Sequence, residues 1–368
     1  MTVVQDQSLF TRLVSQIQDA TDEKELHWFE KKVVIPEFPQ IIETLTVCSN
    51  LLLYNSPQHP DPQNRIERGP PIKLAVSSSK SERLKGIVVR DGAYITEFHV
   101  TIKDHYFNKY FNKLNLVKPV LLNQIINTKV AIDDSISLME SLPNLDKQQQ
   151  QQQQQQHQHQ KVFEEDHETY HKNLIDSFQS LLSNIQTAKT NLQLPTDPQL
   201  VFPLKVTLPD FFHPELPPTI TIDYYISQAE ICIDLKSLHR ITEKPWCEVD
   251  SKTGKSYVDN VRDDMKLPSA NSSVSSLTQA SLEKSPALPR VENNNFLSSM
   301  MSHIQLKPKH DSMDYITRCI TYNNMVVMIN TKLEVSSEDP VLVSCFTKLD
   351  TIECIIRNFL KSLKNLLH

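Results

Sequence analysis

Apolar residues recur at steps of three and four near the C-terminus, between Leu342 and Leu366. This spacing is typical of one face of an α-helix. Asp339 is suited to cap the helix, and Pro340 can occupy its first turn, where the missing N–H costs nothing. The flanking positions lack the regular charge pairs of a leucine zipper. The pattern therefore favours a helix buried in an intramolecular bundle over an intermolecular coiled coil.

Three further stretches repeat the helical spacing upstream of this segment. Their apolar faces are Phe38, Ile41, Ile42, Leu45, Cys48 and Leu52; Leu121, Ile125, Ile132, Ile136 and Met139; and Phe163, Tyr170, Leu174, Phe178, Leu181 and Ile185. Pro119 suits the start of the second of these helices. Helices are also predicted over residues 8–19 and from about residue 22 onward. The chain therefore has predicted helices near both ends and in its middle.

Strand patterns fall between the helices and come in pairs. Residues 72–77 and 84–89 are rich in β-branched side chains, and an Asp91-Gly92 turn leads into alternating residues 94–102. The other pairs are residues 219–226 with 229–235, and residues 315–321 with 325–335, the last pair joined at Asn323-Asn324. Such hairpins indicate antiparallel sheet.

Two segments lack the apolar side chains that a packed core needs. Residues 143–161 contain nine consecutive glutamines, Gln148–Gln156, followed by His157 and His159. Residues 249–311 are rich in serine, asparagine and proline. Because such segments cannot offset the entropy of ordering their backbone, both are predicted to be disordered.

The predicted fold is α+β, with an antiparallel helical bundle that joins the N- and C-terminal helices and a separate antiparallel β domain. Both units are discontinuous in sequence. The predicted assignment is residues 8–54, 105–142, 162–193 and 339–367 for the bundle; 72–103, 200–242 and 313–336 for the β domain; 143–161 for a Gln/His-rich insertion; and 249–311 for a linker.

The composition narrows the possible chemistry. The 368 residues include only four glycines, whereas ordinary usage of about 7% would give several times as many. No glycines cluster into a loop that could cradle phosphates, and Val249 replaces the first glycine of a P-loop ahead of Gly254-Lys255-Ser256. The net charge of −6 gives no basic footprint for nucleic acid. Nucleotide-driven chemistry is therefore disfavoured.

The chain carries no recognisable targeting or membrane segment. Its first ten residues lack a basic start and apolar run, and no apolar stretch approaches the ~18 residues of a membrane span. The six cysteines are scattered without a C-x-x-C pair, which argues against structural zinc and a disulfide framework. These features predict a reduced, soluble, cytosolic protein.

One motif matches a zinc hydrolase letter for letter. His167-Glu168-Thr169-Tyr170-His171 has the H-E-x-x-H spacing that places two histidines on one helical face. Leu174 and Ser177 occupy the positions of the glycine and third histidine of metzincins, and the next glutamate, Glu215, lies beyond several prolines. We therefore predict no metal, catalytic or cofactor-binding residue, and a hydrolase hypothesis rests on this motif alone.

Other candidate residues have simpler interpretations. The neighbouring carboxylates Glu164-Glu165 and Asp133-Asp134 are typical of solvated helix faces. Trp28 and Trp246 can act as interface anchors, but burial in the protein's own core is favoured for both.

With these segments placed, the sequence resembles the Rogdi family. The resemblance rests on residues 25–29 (ELHWF); on the hairpin through Ile220, Tyr224, Cys232, Leu235, Leu238 and His239; on residues 319–326 (CITYNNMV); and on Lys85-Gly86. Within the family, the chain is most similar to the fungal small subunits of the RAVE complex, a regulator of the vacuolar proton-pumping ATPase.

The resemblance implies an elongated, non-enzymatic adaptor without a cofactor. It further implies a large β-propeller RAVE subunit, a Skp-type adaptor and soluble V-ATPase subunits as partners, with no nucleic acid and no direct membrane insertion. The expected location is cytoplasmic, with peripheral recruitment to vacuolar and endosomal membranes through those partners. The alternatives are a zinc hydrolase using His167, Glu168 and His171, and a self-associating coiled-coil scaffold.

Overall fold

The four long helices among the described residues pack together as a helical layer beside two antiparallel sheets. A computed structural model describes residues 24–77, 82–155, 160–266 and 310–366, except for the side chains of residues 143–170. The helices are α1 (Ile35–Tyr54), α2 (His105–Asn108), α3 (Asn123–Gln155), α4 (Gln160–Gln193), α5 (Tyr257–Lys266), α6 (Ser312–Arg318) and α7 (Pro340–Leu366). Residues 24–29 are helical, and a π-helical turn, Glu30–Val34, connects them to α1.

The first sheet is built from the hairpins near the N-terminus. Its strands are β1 (Ile72–Ser77), β2 (Leu84–Asp91), β3 (Tyr94–Ile102), β4 (Lys113–Leu116), β5 (Val120–Leu121) and β6 (Phe212–His213). The order is β1-β2-β3-β4-β6, and β5 also pairs with β3. Gly92, with φ of 57°, supplies the left-handed turn between β2 and β3 that the Asp-Gly pair predicted.

The second sheet brings together two distant hairpins. Its strands are β7 (Ile220–Ser227), β8 (Glu230–Arg240), β9 (Ile320–Tyr322) and β10 (Met325–Glu338), in the order β7-β8-β10-β9. The two sheets touch where Ser337 Oγ donates a hydrogen bond of 2.6 Å to the Ala75 carbonyl. Together with the helical layer, they confirm the predicted α+β class; the proposed domain boundaries stay a prediction.

In the helical layer, α1, α3, α4 and α7 surround a shared apolar interior. Helices α1 and α4 each contact both α3 and α7. The rings of Phe38, Phe178 and Phe359 meet edge to face across α1, α4 and α7, with centroids 6.0–6.1 Å apart. The same core continues into both sheets, where Phe98 and Tyr224 are 5.4 Å apart. The helices and the inner faces of the sheets therefore bury one continuous core.

The last helix forms as predicted. Asp339 caps α7 by accepting hydrogen bonds from the Val341 and Leu342 amides at 2.9 and 3.1 Å. Its apolar stripe packs against α1 and α4 of the same chain. The buried members of the stripe are Leu342, Leu349, Ile352, Ile356, Phe359 and Leu363. The intramolecular interpretation is therefore confirmed for this helix.

Two local predictions are wrong: the strand that was predicted to begin at Tyr315 and the helix that was predicted to begin at Pro119. Residues 312–318 form α6 instead of the start of a strand, because Asp311 caps them and Tyr315 and Cys319 face one core at helical spacing. Pro119 precedes the short strand β5, and α3 begins only at Asn123, because Leu121 pairs with Tyr94 of β3.

The low-complexity segments contain more structure than their composition indicates. Helix α3 continues through Gln155 and α4 begins at Gln160, since glutamine is a good helix former. Residues 249–266 are not a linker: Val249 bridges to Ser256, and α5 follows with Val258 buried. Residues 8–19, 156–159 and 267–309 lie outside the described residues.

Candidate interaction surfaces

The H-E-x-x-H residues lie on α4. His171 is buried, whereas the side chains of His167 and Glu168 belong to the part of the helix that is not described. Among the described side chains, no three His, Cys, Asp or Glu residues converge into a group that could hold a metal ion. That the motif is a coincidence stays a prediction.

Three of the buried cysteines, Cys232, Cys319 and Cys345, are held as neutral thiols. Cys48 and Cys345 face each other between α1 and α7, with each Sγ 3.9–4.0 Å from the other residue's carbonyl oxygen. A hydrogen bond with Cys48 and burial raise the pKa of Cys345 well above its usual range. Burial also raises the pKa of Cys319 to about 11 and of Cys232 to about 12. Since the thiolate is the nucleophile, these three residues serve packing at neutral pH.

One of the two adjacent carboxylates on α3, Asp133, joins two helices. Asp133 accepts a hydrogen bond of 3.4 Å from Ser49 Oγ on α1 and pairs with Lys129 one turn away. Asp134 is exposed. The predicted solvated face is therefore partly an α1–α3 contact, and the side chains of Glu164 and Glu165 lie outside the described part.

The two tryptophans have different environments. Trp246 is half-buried and stacks on Tyr315, with ring centroids 5.0 Å apart. Trp28 is 61% exposed, so the prediction that it is buried in the core of the protein is wrong. The helical period explains the outcome, because Leu26 and Phe29 turn towards the core and leave Trp28 on the opposite face. An exposed indole is a frequent anchor of protein interfaces.

A buried ion pair connects the first sheet to the helical layer. Arg90 on β2 donates from Nε to Asp339 Oδ2 at 2.6 Å and from Nη2 to Oδ1 at 3.2 Å, and both side chains are fully buried. Arg90 Nη1 completes the site with the Asn55 side chain at 3.1 Å and the Gly92 carbonyl at 2.7 Å. One arginine thereby links the end of α1, the β2–β3 turn and the start of α7.

A second charged cluster joins α4 to α7. Glu353 accepts hydrogen bonds from Gln186 Nε2 at 3.0 Å, Lys189 Nζ at 2.5 Å and Arg357 Nε at 2.9 Å. Burial acts to raise the pKa of Glu353, but the hydrogen bonds from Lys189, Gln186 and Arg357 outweigh it and lower the pKa to about 2. The carboxylate is therefore charged at every physiological pH and serves the helix–helix contact.

Charged residues also follow one row across the second sheet. Asp223, Asp234 and Glu334 stand opposite one another on β7, β8 and β10. Three like charges in one row would repel, but Lys236 lies 3.0 and 2.7 Å from the two aspartates, and Lys332 lies 2.8 Å from Glu334. The sequence signal for this row is the pair Asp234 and Lys236, which lie two positions apart in the otherwise mostly apolar strand β8.

Several exposed apolar side chains lie on or beside the connection from α4 to the first sheet. Residues 201–211 connect α4 to the edge of the first sheet, and Thr207 Oγ1 holds them on β7 through the Ile222 amide and carbonyl. The exposed members are Val117, Leu204, Val206 and Leu208. Leu204 and Val206 line the same cleft and so form a small apolar surface. Among the described residues, these exposed apolar side chains are available for binding. The buried charged groups described above are already paired within the fold.

The chain matches known proteins along most of its length. The family model for Rogdi leucine zipper containing protein matches residues 25–364. The chain is also similar to "Regulator of V-ATPase in vacuolar membrane protein 2" of Saccharomyces cerevisiae, with 25% identity over 345 residues, which cover 91% of this chain and 89% of the yeast protein. Among the described helices, none has both the length and the apolar character needed to cross a bilayer. Because the family match runs through the helical layer and both sheets, this chain belongs to the Rogdi leucine zipper containing protein family.

Proposed function

We propose that this protein is a non-catalytic adaptor subunit of a RAVE-type complex that promotes assembly and reassembly of the vacuolar proton-ATPase. The observation that carries the proposal is the similarity to a yeast regulator of V-ATPase along 91% of the chain. Similarity of that extent includes the helical layer and both sheets, so a shared role does not depend on one short motif.

The chemistry of the described residues supports a binding role. Three buried cysteines are protonated at neutral pH, and Arg90, Lys236 and Glu353 are engaged in ion pairs that connect neighbouring elements. The exposed Trp28 and the apolar residues near Leu204 are the kind of surface that an adaptor presents to its partners.

The proposed partners are a large β-propeller RAVE subunit, a Skp-type adaptor and soluble V-ATPase subunits. In this proposal the protein is cytoplasmic and reaches vacuolar and endosomal membranes through those partners. It acts through contacts alone, by bringing the peripheral sector of the pump to its membrane sector.

Cells that lack the protein provide the test. After a treatment that forces the pump to disassemble and is then reversed, we expect normal amounts of pump subunits, a detached peripheral sector and a poorly acidified vacuole. Complementation with the wild-type chain should restore attachment. Normal reattachment without the protein would contradict the proposal.

A matched variant separates the adaptor from the hydrolase. Glu168→Gln removes the general base that an H-E-x-x-H enzyme requires while changing the side chain little. We expect this variant to restore sector attachment as fully as the wild-type chain. Failure of a stably folded Glu168→Gln protein, together with stoichiometric zinc in the wild type, would favour the hydrolase.

A further inference from the structure

A cavity of about 590 Å³ opens at one edge of the second sheet. Strand β9 forms its floor through Ile320 and Thr321, and the Asn323-Asn324 turn closes one end. Because β9 is the terminal strand of the sheet, its outer edge has no strand neighbour among the described residues. The volume lies within the range of ligand-binding pockets, about 300–1,000 Å³.

The hairpin register shows which backbone groups face the cavity. Tyr322 pairs with Met325 around the two-residue turn, so Thr321 and Val326 form the next, non-hydrogen-bonded pair. The Val326 carbonyl accordingly points away from β9 and accepts a hydrogen bond of 2.9 Å from the Ile241 amide. By the same geometry, the N–H and C=O of Thr321 point outward from the sheet, towards the free edge.

Helix α5 forms a wall on one side of this edge through Asp259 and Arg262. Arg262 donates from Nε to the Ile316 carbonyl and from Nη2 to the Cys319 carbonyl, both at 2.6 Å. Asp259 accepts hydrogen bonds from Thr321 Oγ1 and from the Ser256 hydroxyl at 2.8 Å. These contacts tie the helix to β9 and leave a cleft between them.

The opposite wall is apolar. Leu204 and Val206 line the cavity, and both side chains are exposed. Phe202, just before them, is anchored on the sheet by its ring contact with Tyr322, with centroids 5.1 Å apart. The cleft therefore has an apolar wall, a polar wall and a backbone edge between them.

We infer that this edge groove binds an extended peptide segment of a partner protein, which adds to β9 as a further strand. The peptide would accept a hydrogen bond from the Thr321 N–H and donate one to the Thr321 carbonyl, while an apolar side chain packs on Leu204 and Val206. The inference goes beyond the proposed function, because it does not depend on which complex the protein joins.

The charges of the walls favour a peptide over an ionic ligand. Arg262 and Asp259 lie 3.5 Å apart and neutralise one another, so the cleft offers no net charge to a phosphate or a cation. An uncharged backbone carrying one donor and one acceptor matches the Thr321 edge.

A selection of peptides on the full-length protein tests the groove. The probe is a phage library of random peptides of about ten residues, the upper length of an ordinary strand. Enriched peptides are then synthesised and titrated against the wild type and two variants. Thr321→Pro removes the outward N–H, and edge strands tolerate proline. Thr321→Val keeps that N–H and removes only the hydroxyl.

We expect Thr321→Pro to bind about tenfold more weakly than Thr321→Val, or worse, because both variants lack the hydroxyl and only Thr321→Pro also lacks the outward N–H. Hydrogen exchange at the Thr321 amide should slow when the peptide binds. The inference would be overturned if a folded Thr321→Pro protein bound the peptides as tightly as Thr321→Val does. It would also be overturned if the wild type enriched no peptides relative to wells coated with Thr321→Pro.

A second pair of variants covers the case in which Thr321→Pro fails to fold. Leu204→Glu places a charge on the apolar wall, and Leu208→Glu makes the same change at an exposed residue outside the cavity. We expect only Leu204→Glu to weaken binding. Equal affinity of both variants would contradict the groove. If peptides bind only to a chain that lacks residues 269–295, then that segment of the chain itself occupies the groove. This result would overturn the assignment to a partner.

Discussion

Arg90 and Asp339 show how a single buried residue can hold three parts of the fold together. The two are 249 positions apart, and Asp339 combines two roles, since it caps α7 and neutralises Arg90. Only the capping role was visible in the sequence, because a cap depends on the next few residues, whereas its ionic partner comes from the first sheet.

Asp339→Asn separates these two roles. Asparagine is an equally good helix cap, but it leaves Arg90 as an uncompensated buried charge. We expect a loss of about 3–5 kcal/mol in the free energy of unfolding, measured by urea denaturation. Asp350→Asn on the same helix is the control, because Asp350 is largely exposed and its pair with Lys189 should contribute less than about 1 kcal/mol. Equal effects of the two variants would show that the buried pair is unimportant.

Glu353 gives a prediction about pH. Its pKa of about 2 in the folded protein lies below its usual value of 4.5, so the ionised form is stabilised by folding. That stabilisation is complete above about pH 4.5 and is lost as the pH falls towards 2. We therefore expect Glu353→Gln to destabilise the protein more at pH 6 than at pH 3, measured by denaturant unfolding at both values. A pH-independent difference between the two proteins would contradict the assignment.

At the scale of elements, α7 is the best example of agreement between pattern and structure. Its apolar stripe, its aspartate cap and its first-turn proline were all readable, and the helix packs inside the chain against α1 and α4. By contrast, α6 and α5 are short and draw their stability from a small core around Trp246, so periodicity alone did not identify them.

The stripe of α7 can be tested at one position. Ile356→Asp would bury an unpaired carboxylate in the helical core and should unfold or severely destabilise the protein. Asn358→Asp, two residues later on the exposed face, should change the thermal midpoint little. Circular dichroism melts distinguish the outcomes. An Ile356→Asp protein that melts like the Asn358→Asp control would indicate an exposed stripe and revive the coiled-coil scaffold.

At the scale of the whole molecule, one core links the helical layer to the sheets. We therefore expect a deletion to prevent folding when it removes residues of this core. The two low-complexity segments should be removable, because the closure entropy of a connection changes slowly with its length. Deletion of residues 148–156, or of residues 269–295, should leave the melting temperature nearly unchanged. Deletion of residues 128–136, which has the same length as the first, should abolish folding because it removes buried Thr128, Ile132 and Ser135. Loss of soluble protein after either of the first two deletions would show that those segments belong to the core.

The sequence by itself indicated which stretches form the long helices and placed the hairpin turns at Asp91-Gly92 and Asn323-Asn324. These features follow from local rules, since caps, turn residues and periodicity each involve residues a few positions apart. The family was indicated by resemblance. The tertiary structure alone decided which elements meet. Cys48 lies against Cys345, 297 positions away, and Trp28 is exposed although its neighbours are buried. The groove beside Thr321 exists only because residues from three distant segments converge on one sheet edge. Such outcomes depend on the packing of the whole chain, because a local pattern specifies which face is apolar but not which partner covers it.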